Sequence, residues 1–200
     1  MTFIKMCGLR DEATVDLAVR LGVDAIGFVF AASPRRVTPQ QAALLRARIP
    51  DSVVAVGVFV GQSIEEIVDA ATTAGITTVQ VHDLRSTADV AALHEAGLTV
   101  VRAINTGSDA DHSTSLGEDL LLVDGAVAGA GVTWDWQDRS ALPTGRWILA
   151  GGLNRDNVAR AVASSGAWGV DVSSGIESSR GVKDPELMAA FAEAVRAAES

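Results

Sequence analysis

The chain has 200 residues, 48% of them hydrophobic, with 19 glycines, one cysteine and a formal net charge of −9 at pH 7. This composition excludes a disordered polymer, and an acidic chain with two lysines, Lys5 and Lys183, excludes a basic nucleic-acid surface or an anionic membrane as partner. A lone cysteine makes no internal disulfide, and neither a leader-like N-terminus nor an apolar run of membrane length is present, so a cytoplasmic location is expected.

Phe3 to Gly8 opens the chain with an apolar, β-favouring strand, with Cys7 at its end. Asp11 then caps a helix carrying Ala13, Leu17, Ala18 and Leu21 on one face, and Gly22 stops it. Asp24 to Phe30 reads as the second strand. Thr38-Pro39-Gln40-Gln41 is a capping box with proline at the first helical position, and that helix continues through Ala42, Leu45 and Ile49. Val53 to Val60 is a nearly unbroken apolar strand of the kind covered on both faces. Ser63 to Glu66 is a second capping box, opening a helix that ends at Gly75. Ile76 to Val81 is the fourth strand, Thr87 to Ala96 the fourth helix and Leu98 to Ile104 the fifth strand.

The strand–helix alternation then lapses. Asn105 to Glu118 is polar and without helical periodicity, so a loop is expected in place of the helix after strand five. Leu120 to Val123 is the sixth strand, Gly125 to Gly131 a glycine-rich loop, and a short helix is expected near Trp136 to Ser140. Trp147 to Ala150 forms the seventh strand, followed by a helix capped by Asn154. Trp168 to Val172 forms the eighth, and a last helix starts at Asp184-Pro185 with Leu187, Met188, Phe191 and Val195 inward.

Strands alternating with helices imply parallel pairing through right-handed crossovers. Eight such units predict one α/β domain over residues 1–200, a (β/α)8 TIM barrel. The alternative is an open doubly wound sheet, but no GxGxxG follows the first strand.

In a barrel the strand C-termini share one mouth. There the sequence puts Cys7, Ser33 to Arg35, Val60-Gly61, His82, Arg102, Asp124, Gly151-Gly152 and Asp171 with Ser173-Ser174-Gly175. Loops seven and eight have the small residues and backbone donors of a phosphate cradle, against the plainer reading of two glycine turns. Asp124 ends an apolar run that would raise a carboxyl's pKa, although a cap beside Gly125 is the simpler role. A thiolate at Cys7 can accept a proton and a carboxylic acid at Asp124 can donate one, which suits a sugar-phosphate isomerase; a buried structural thiol is the competing reading. Arg35 is either a clamp for a substrate carboxylate or a solvated loop cation. His82 is either a substrate contact or an orienter of another side chain. His94 reads as surface, and His112 with Asp109 and Asp111 matches no metal-ligand spacing, so no metal is expected. The tryptophans read as packing residues, and nothing specifies an oligomeric state.

Taken together, KMCGL from Lys5, DAIGFVF with SPR through Arg35, VGVFV from Val56, VQVH ending at His82 and LLVD ending at Asp124 resemble the phosphoribosylanthranilate isomerase family of tryptophan biosynthesis. GAGVTWDW from Gly129, LAGGL from Leu149 and VDVSSGIE with GVKD from Val170 to Asp184 complete the resemblance over nearly the whole chain. It implies an Amadori rearrangement of a phosphorylated sugar-anthranilate substrate, without a cofactor. Asp124 matches the family's general acid and Cys7 its general base. Arg35 matches the residue beside the anthranilate carboxylate, and Asp171 an active-site aspartate. Gly151, Gly152, Ser173, Ser174 and Gly175 match the phosphate loops. Asp83 stands where the family usually has glycine, and Ala128 and Val132 replace a glycine and a lysine of the glycine-rich loop. The related histidine-pathway isomerases carry an aspartate where Cys7 stands, and a barrel that binds without turnover would not need both Cys7 and Asp124.

Overall fold

The computed structural model describes residues 1–105, 114–125 and 142–198. The short helix expected near Trp136 to Ser140, most of the glycine-rich loop with Ala128 and Val132, Trp134, and His112 with Asp109 and Asp111 lie outside the described residues.

Eight parallel strands close into a barrel in sequence order: β1 (Phe3–Cys7), β2 (Ala25–Val29), β3 (Val54–Val60), β4 (Thr78–His82), β5 (Thr99–Asn105), β6 (Leu120–Asp124), β7 (Trp147–Leu149) and β8 (Gly169–Val172). β8 pairs back onto β1, with Lys5 opposite Asp171. Around the strands lie α1 (Glu12–Arg20), α2 (Pro39–Arg46), α3 (Ile64–Ala74), α4 (Thr87–Glu95), α5 (Val158–Ser165) and α6 (Pro185–Ala197). No helix among the described residues is long and apolar enough to cross a membrane.

The helix starts follow from capping chemistry. Asp11 accepts from the Thr14 N–H, Thr38 and Gln41 exchange a full capping box ahead of Pro39, Ser63 and Glu66 do the same, and Asp184 accepts from the Glu186 and Leu187 N–H groups. The Asn154 expectation needs correction. Asn154 is held in a turn by Asn157, whose Oδ1 accepts from the Asn154 N–H at 2.8 Å, and α5 begins only at Val158. Loop seven therefore does not run straight into a helix. A 3-10 turn (Ser174–Ile176) and a hairpin, β9 (Glu177–Ser179) with β10 (Val182–Lys183), follow β8 without a clear sequence signal.

The pleat sorts side chains into two layers. Ile4 and Met6 of β1 join the large core between strands and helices, with Phe28, Phe59, Trp147 and Phe191. Lys5 and Cys7 alternate with them and face the barrel interior, where Cys7 packs with Ala25, Val29, Val56 and Val58. Arg102 was expected at the mouth. It instead shares the parity of Val100 and Ile104 and points out of the barrel, where its guanidinium donates to Glu118 Oε1 and the Thr114 carbonyl, each at 2.8 Å. The described part of the β5–β6 connection, residues 114–119, contains no helix, and this ion pair ties that segment to the sheet.

Candidate active site

β1 places Cys7 at the mouth, 6% exposed, and Lys5 one step deeper on the same interior face. Lys5 Nζ donates to Asp171 Oδ1 at 2.9 Å across the β1–β8 seam. Burial pushes the Cys7 thiol up and, with Asp171 adding to the rise, holds it above its ordinary value, while the Lys5 and then the Lys183 ammonium draw it back down by charge. Burial also works against the Lys5 charge, but Asp171 and Cys7 hold that ammonium above its ordinary value.

Asp124 closes β6, 9% exposed, with its Oδ1 accepting from the Gly125 N–H at 2.7 Å. Burial, followed by the nearby Asp171 carboxylate, raises its carboxyl to about 6, outweighing the Gly125 hydrogen bond and Lys5. Asp124 thus keeps its proton far longer than a solvated aspartate.

Arg35 is buried, which removes the solvated-cation reading, whereas Arg36 beside it is exposed. Its Nε and Nη2 donate side-on to Glu177 Oε1 and Oε2 at 2.6 and 2.9 Å. Lys183 Nζ reaches the same carboxylate at 2.8 Å, and also donates to the Ser173 carbonyl and Oγ. Burial opposes the Glu177 charge, yet Arg35, Lys183 and the Gly181 N–H together hold its carboxyl down to about 2. The β9–β10 hairpin is therefore the arm that delivers Glu177 and Lys183 to the mouth. Neither residue stood out in the sequence as a site residue. Nor did Lys5; the signal was there in a chain whose two lysines both sit in apolar or glycine-rich surroundings.

His82 ends β4 with its Nε2 3.1 Å from Gln80 Nε2. Burial, then the Lys5 charge, lowers its pKa, so it is neutral near pH 7. Its neighbour Asp83 has φ 65°, the one non-glycine residue with positive φ among the described residues.

Loops seven and eight are brought together. Gly175 lies flat against the Leu153 carbonyl, leaving no space for a side chain. Gly151, Gly152, Ser173, Ser174 and Gly175 are half-buried and open to the mouth side of the strands. Ser173 Oγ also donates to the Cys7 carbonyl at 3.1 Å, joining the eighth loop to the thiol's own backbone. Gly151 is pressed against the carboxyl of β6, and a Cβ there would lie 2.8 Å from Asp124 Oδ1.

A cavity of about 240 Å³ opens at the opposite pole, lined by strand starts such as Phe3, Val54, Thr78 and Trp168, with Lys5 and Gln80 at its inner end. The mouth arrangement combines a proton-holding carboxyl, a thiol beside ammonium groups, a buried guanidinium and two donor-rich loops. It can donate and accept protons on an anionic substrate.

Residues 4–194 match the family model for N-(5'-phosphoribosyl)anthranilate (PRA) isomerase. The Zymomonas mobilis N-(5'-phosphoribosyl)anthranilate isomerase is 39% identical over 208 residues, covering 96% of this chain and 97% of that one. Among solved structures, TrpF from Jonesia denitrificans superposes with a TM-score of 0.90 at 42% identity, covering 100% of this chain and 98% of that one. The phosphoribosyl anthranilate isomerase solved in complex with reduced 1-(o-carboxyphenylamino)-1-deoxyribulose 5-phosphate superposes with a TM-score of 0.81 at 28% identity, covering 98% of this chain and 100% of that one. With the match running from β1 to α6, the chain belongs to the N-(5'-phosphoribosyl)anthranilate isomerase family, isomerases of tryptophan biosynthesis.

Proposed function

We propose that this chain carries out the Amadori rearrangement of N-(5'-phosphoribosyl)anthranilate, with Asp124 as general acid and Cys7 as general base. Asp124 gives its proton to the furanose ring oxygen as the C1–O bond breaks, and the anilino nitrogen lone pair forms the C1=N bond. The Cys7 thiolate then takes the C2 proton. The C–H electron pair becomes the C1=C2 bond, and the iminium pair returns to nitrogen, giving an enolamine. Loss of the O2 proton and protonation at C1 turn the enolamine into the ketone. Acid-assisted ring opening and proton transfers make up the whole sequence, so side chains suffice for the chemistry.

The observation that carries this reading is the carboxyl of Asp124, raised to about 6 at the mouth that also holds Cys7. A general acid near pH 7 needs a pKa of that order. Arg35 fits the substrate carboxylate through the guanidinium edge that Glu177 does not use, since Glu177 occupies Nε and Nη2. Asp171 and His82 flank the reacting sugar as substrate contacts. The Gly151-Gly152 and Ser173-Ser174-Gly175 loops take the phosphate through backbone N–H groups and hydroxyls. The product analogue bound by the related enzyme, a carboxylated and phosphorylated molecule, has the chemistry these groups fit.

The test is to supply phosphoribosylanthranilate and follow the loss of its fluorescence. Wild type should turn it over, and Cys7→Ala and Asp124→Asn should each lose most of the rate. Wild type that binds the substrate without turnover would leave a binding barrel, and near-normal rates in both variants would remove the acid and base assignments.

A further inference from the structure

The two lysines of this chain are both buried, and both act on Cys7. A buried ammonium is costly, and apolar residues of similar size often serve stability as well, so two of them around one thiol need a reason. Lysine offers a compact point charge, where arginine would offer a broad fork suited to a carboxylate.

Their connections differ. Lys5 stands two residues before Cys7 on the same interior face, bonded to Asp171 at 2.9 Å and acting on the thiol by charge. Lys183 acts on the thiol by charge alone, from the hairpin side. It holds Ser173 through both the carbonyl, at 2.8 Å, and Oγ, at 3.3 Å, while Ser173 Oγ donates to the Cys7 carbonyl. Arg35 adds a third cation, tied to Glu177. Around the thiol there are thus three cations, Lys5, Lys183 and Arg35, and two ion-paired carboxylates, Asp171 and Glu177. His82 is held neutral by burial, and Asp83 is exposed. The surplus is one positive charge. It can be balanced by a thiolate at Cys7 or by an ionised Asp124, and a thiolate paired with protonated Asp124 is the combination that acid–base catalysis requires.

We propose that Lys5 and Lys183 are positioning residues that supply the countercharge for a Cys7 thiolate, Lys5 directly and Lys183 through the hairpin and Ser173. This rests on the reading of Cys7 as the base and names what allows a buried thiol to fill that role. It also gives the β9–β10 hairpin a purpose: β10 carries Lys183, and β9 carries the Glu177 that holds it in place.

The chain contains one cysteine and no tyrosine, so the ultraviolet absorbance of a thiolate reports Cys7 alone, with Cys7→Ala as the baseline. Titrated this way, Lys5→Met should move the Cys7 midpoint up by about one pH unit or more, as loss of a neighbouring buried cation implies. Lys183→Met should move it up by less. Asp171→Asn should move it down, because that variant removes a neighbouring negative charge. A role in packing alone would not give opposite signs from the two partners of one ion pair. An unchanged midpoint in both lysine variants, or Lys5→Met and Asp171→Asn shifting it the same way, would overturn the proposal. If Lys5→Met does not fold, Lys5→Met/Asp171→Asn removes both charges together. Its midpoint should still lie above wild type, and a midpoint at or below wild type overturns the proposal. Turnover separates this from the base assignment. Normal turnover by Cys7→Ala would remove the base reading whatever the titrations show. Inactive Cys7→Ala with unmoved titrations would remove only the role of the lysines.

Discussion

Gly27 faces Cys7 across the β1–β2 pair so closely that a Cβ at Gly27 would lie 2.8 Å from the thiol Sγ and 3.2 Å from the Cys7 Cα. The thiol occupies the space a neighbouring side chain would fill, much as Asp124 occupies the space beside Gly151. Each proposed proton-transfer group is therefore seated against a glycine on the adjoining strand or its extension. Gly27→Ala should cost about 1–3 kcal/mol in urea unfolding, the usual cost of overpacking. It should also lower kcat at least tenfold by displacing the thiol; an alanine variant with wild-type kcat would show that the seat is not needed.

Asp124→Asn should separate activity from stability. The native carboxyl titrates at about 6 against 3.8 for an ordinary aspartate. The native state therefore holds the proton longer, so the stability is full below the lower value, falls as pH rises between the two, and stays reduced above about 6. Asparagine can still accept the Gly125 N–H bond without the buried charge. Chemical denaturation should find the variant more stable than wild type at pH 8, by on the order of 1–3 kcal/mol, and equal to it near pH 3, although it has lost most of its turnover.

Glu177 works with the opposite sign. Its carboxyl is held down to about 2 against an ordinary 4.5, so its contribution is full above the ordinary value and is lost as pH falls through about 2. Glu177→Gln should cost about 2 kcal/mol or more at pH 7, since it leaves the buried Arg35 and Lys183 without their anion. The thermal melts of the variant and wild type should converge on acidification. With Arg35 no longer oriented, KM for the substrate should rise more than kcat falls.

Asp83→Gly should relieve backbone strain. A left-handed φ of 65° disfavours any residue with a Cβ, aspartate less than most. The variant should gain about 0.5–1 kcal/mol, read as a higher melting temperature, with turnover unchanged because the Asp83 side chain is exposed. A loss of turnover would mean that the extra carboxylate takes part in substrate handling.

The barrel was legible because its signals are local. Apolar strands alternate with helices whose caps at Asp11, Thr38, Ser63 and Asp184 lie within four residues of the groups they satisfy. The positions of Cys7 and Asp124 at the ends of β1 and β6 were legible for the same reason, since each closes an apolar run. Asn154 was misplaced because an asparagine preceding a helix can equally build a turn, and Asn157 recruits it into one. Arg102 was misassigned because strand parity relative to the barrel axis is a tertiary property; with Val100 and Ile104 it faces outward. The hairpin was illegible because it is fixed by charges far apart in sequence. Arg35 and Glu177 are separated by 142 residues, and Glu-Ser-Ser carries no strand pattern of its own.

The proposed division of labour between Cys7 and Asp124 is tested most directly with substrate deuterated at C2, followed through single turnovers with enzyme in excess. Cys7→Ser weakens the base, so C2–H cleavage should limit the rate and the isotope effect should rise above that of wild type. Asp124→Asn weakens the acid, so ring opening should limit the rate and the isotope effect should fall toward unity. The reverse pattern, with the isotope effect growing in Asp124→Asn and vanishing in Cys7→Ser, would contradict the assignment of base and acid.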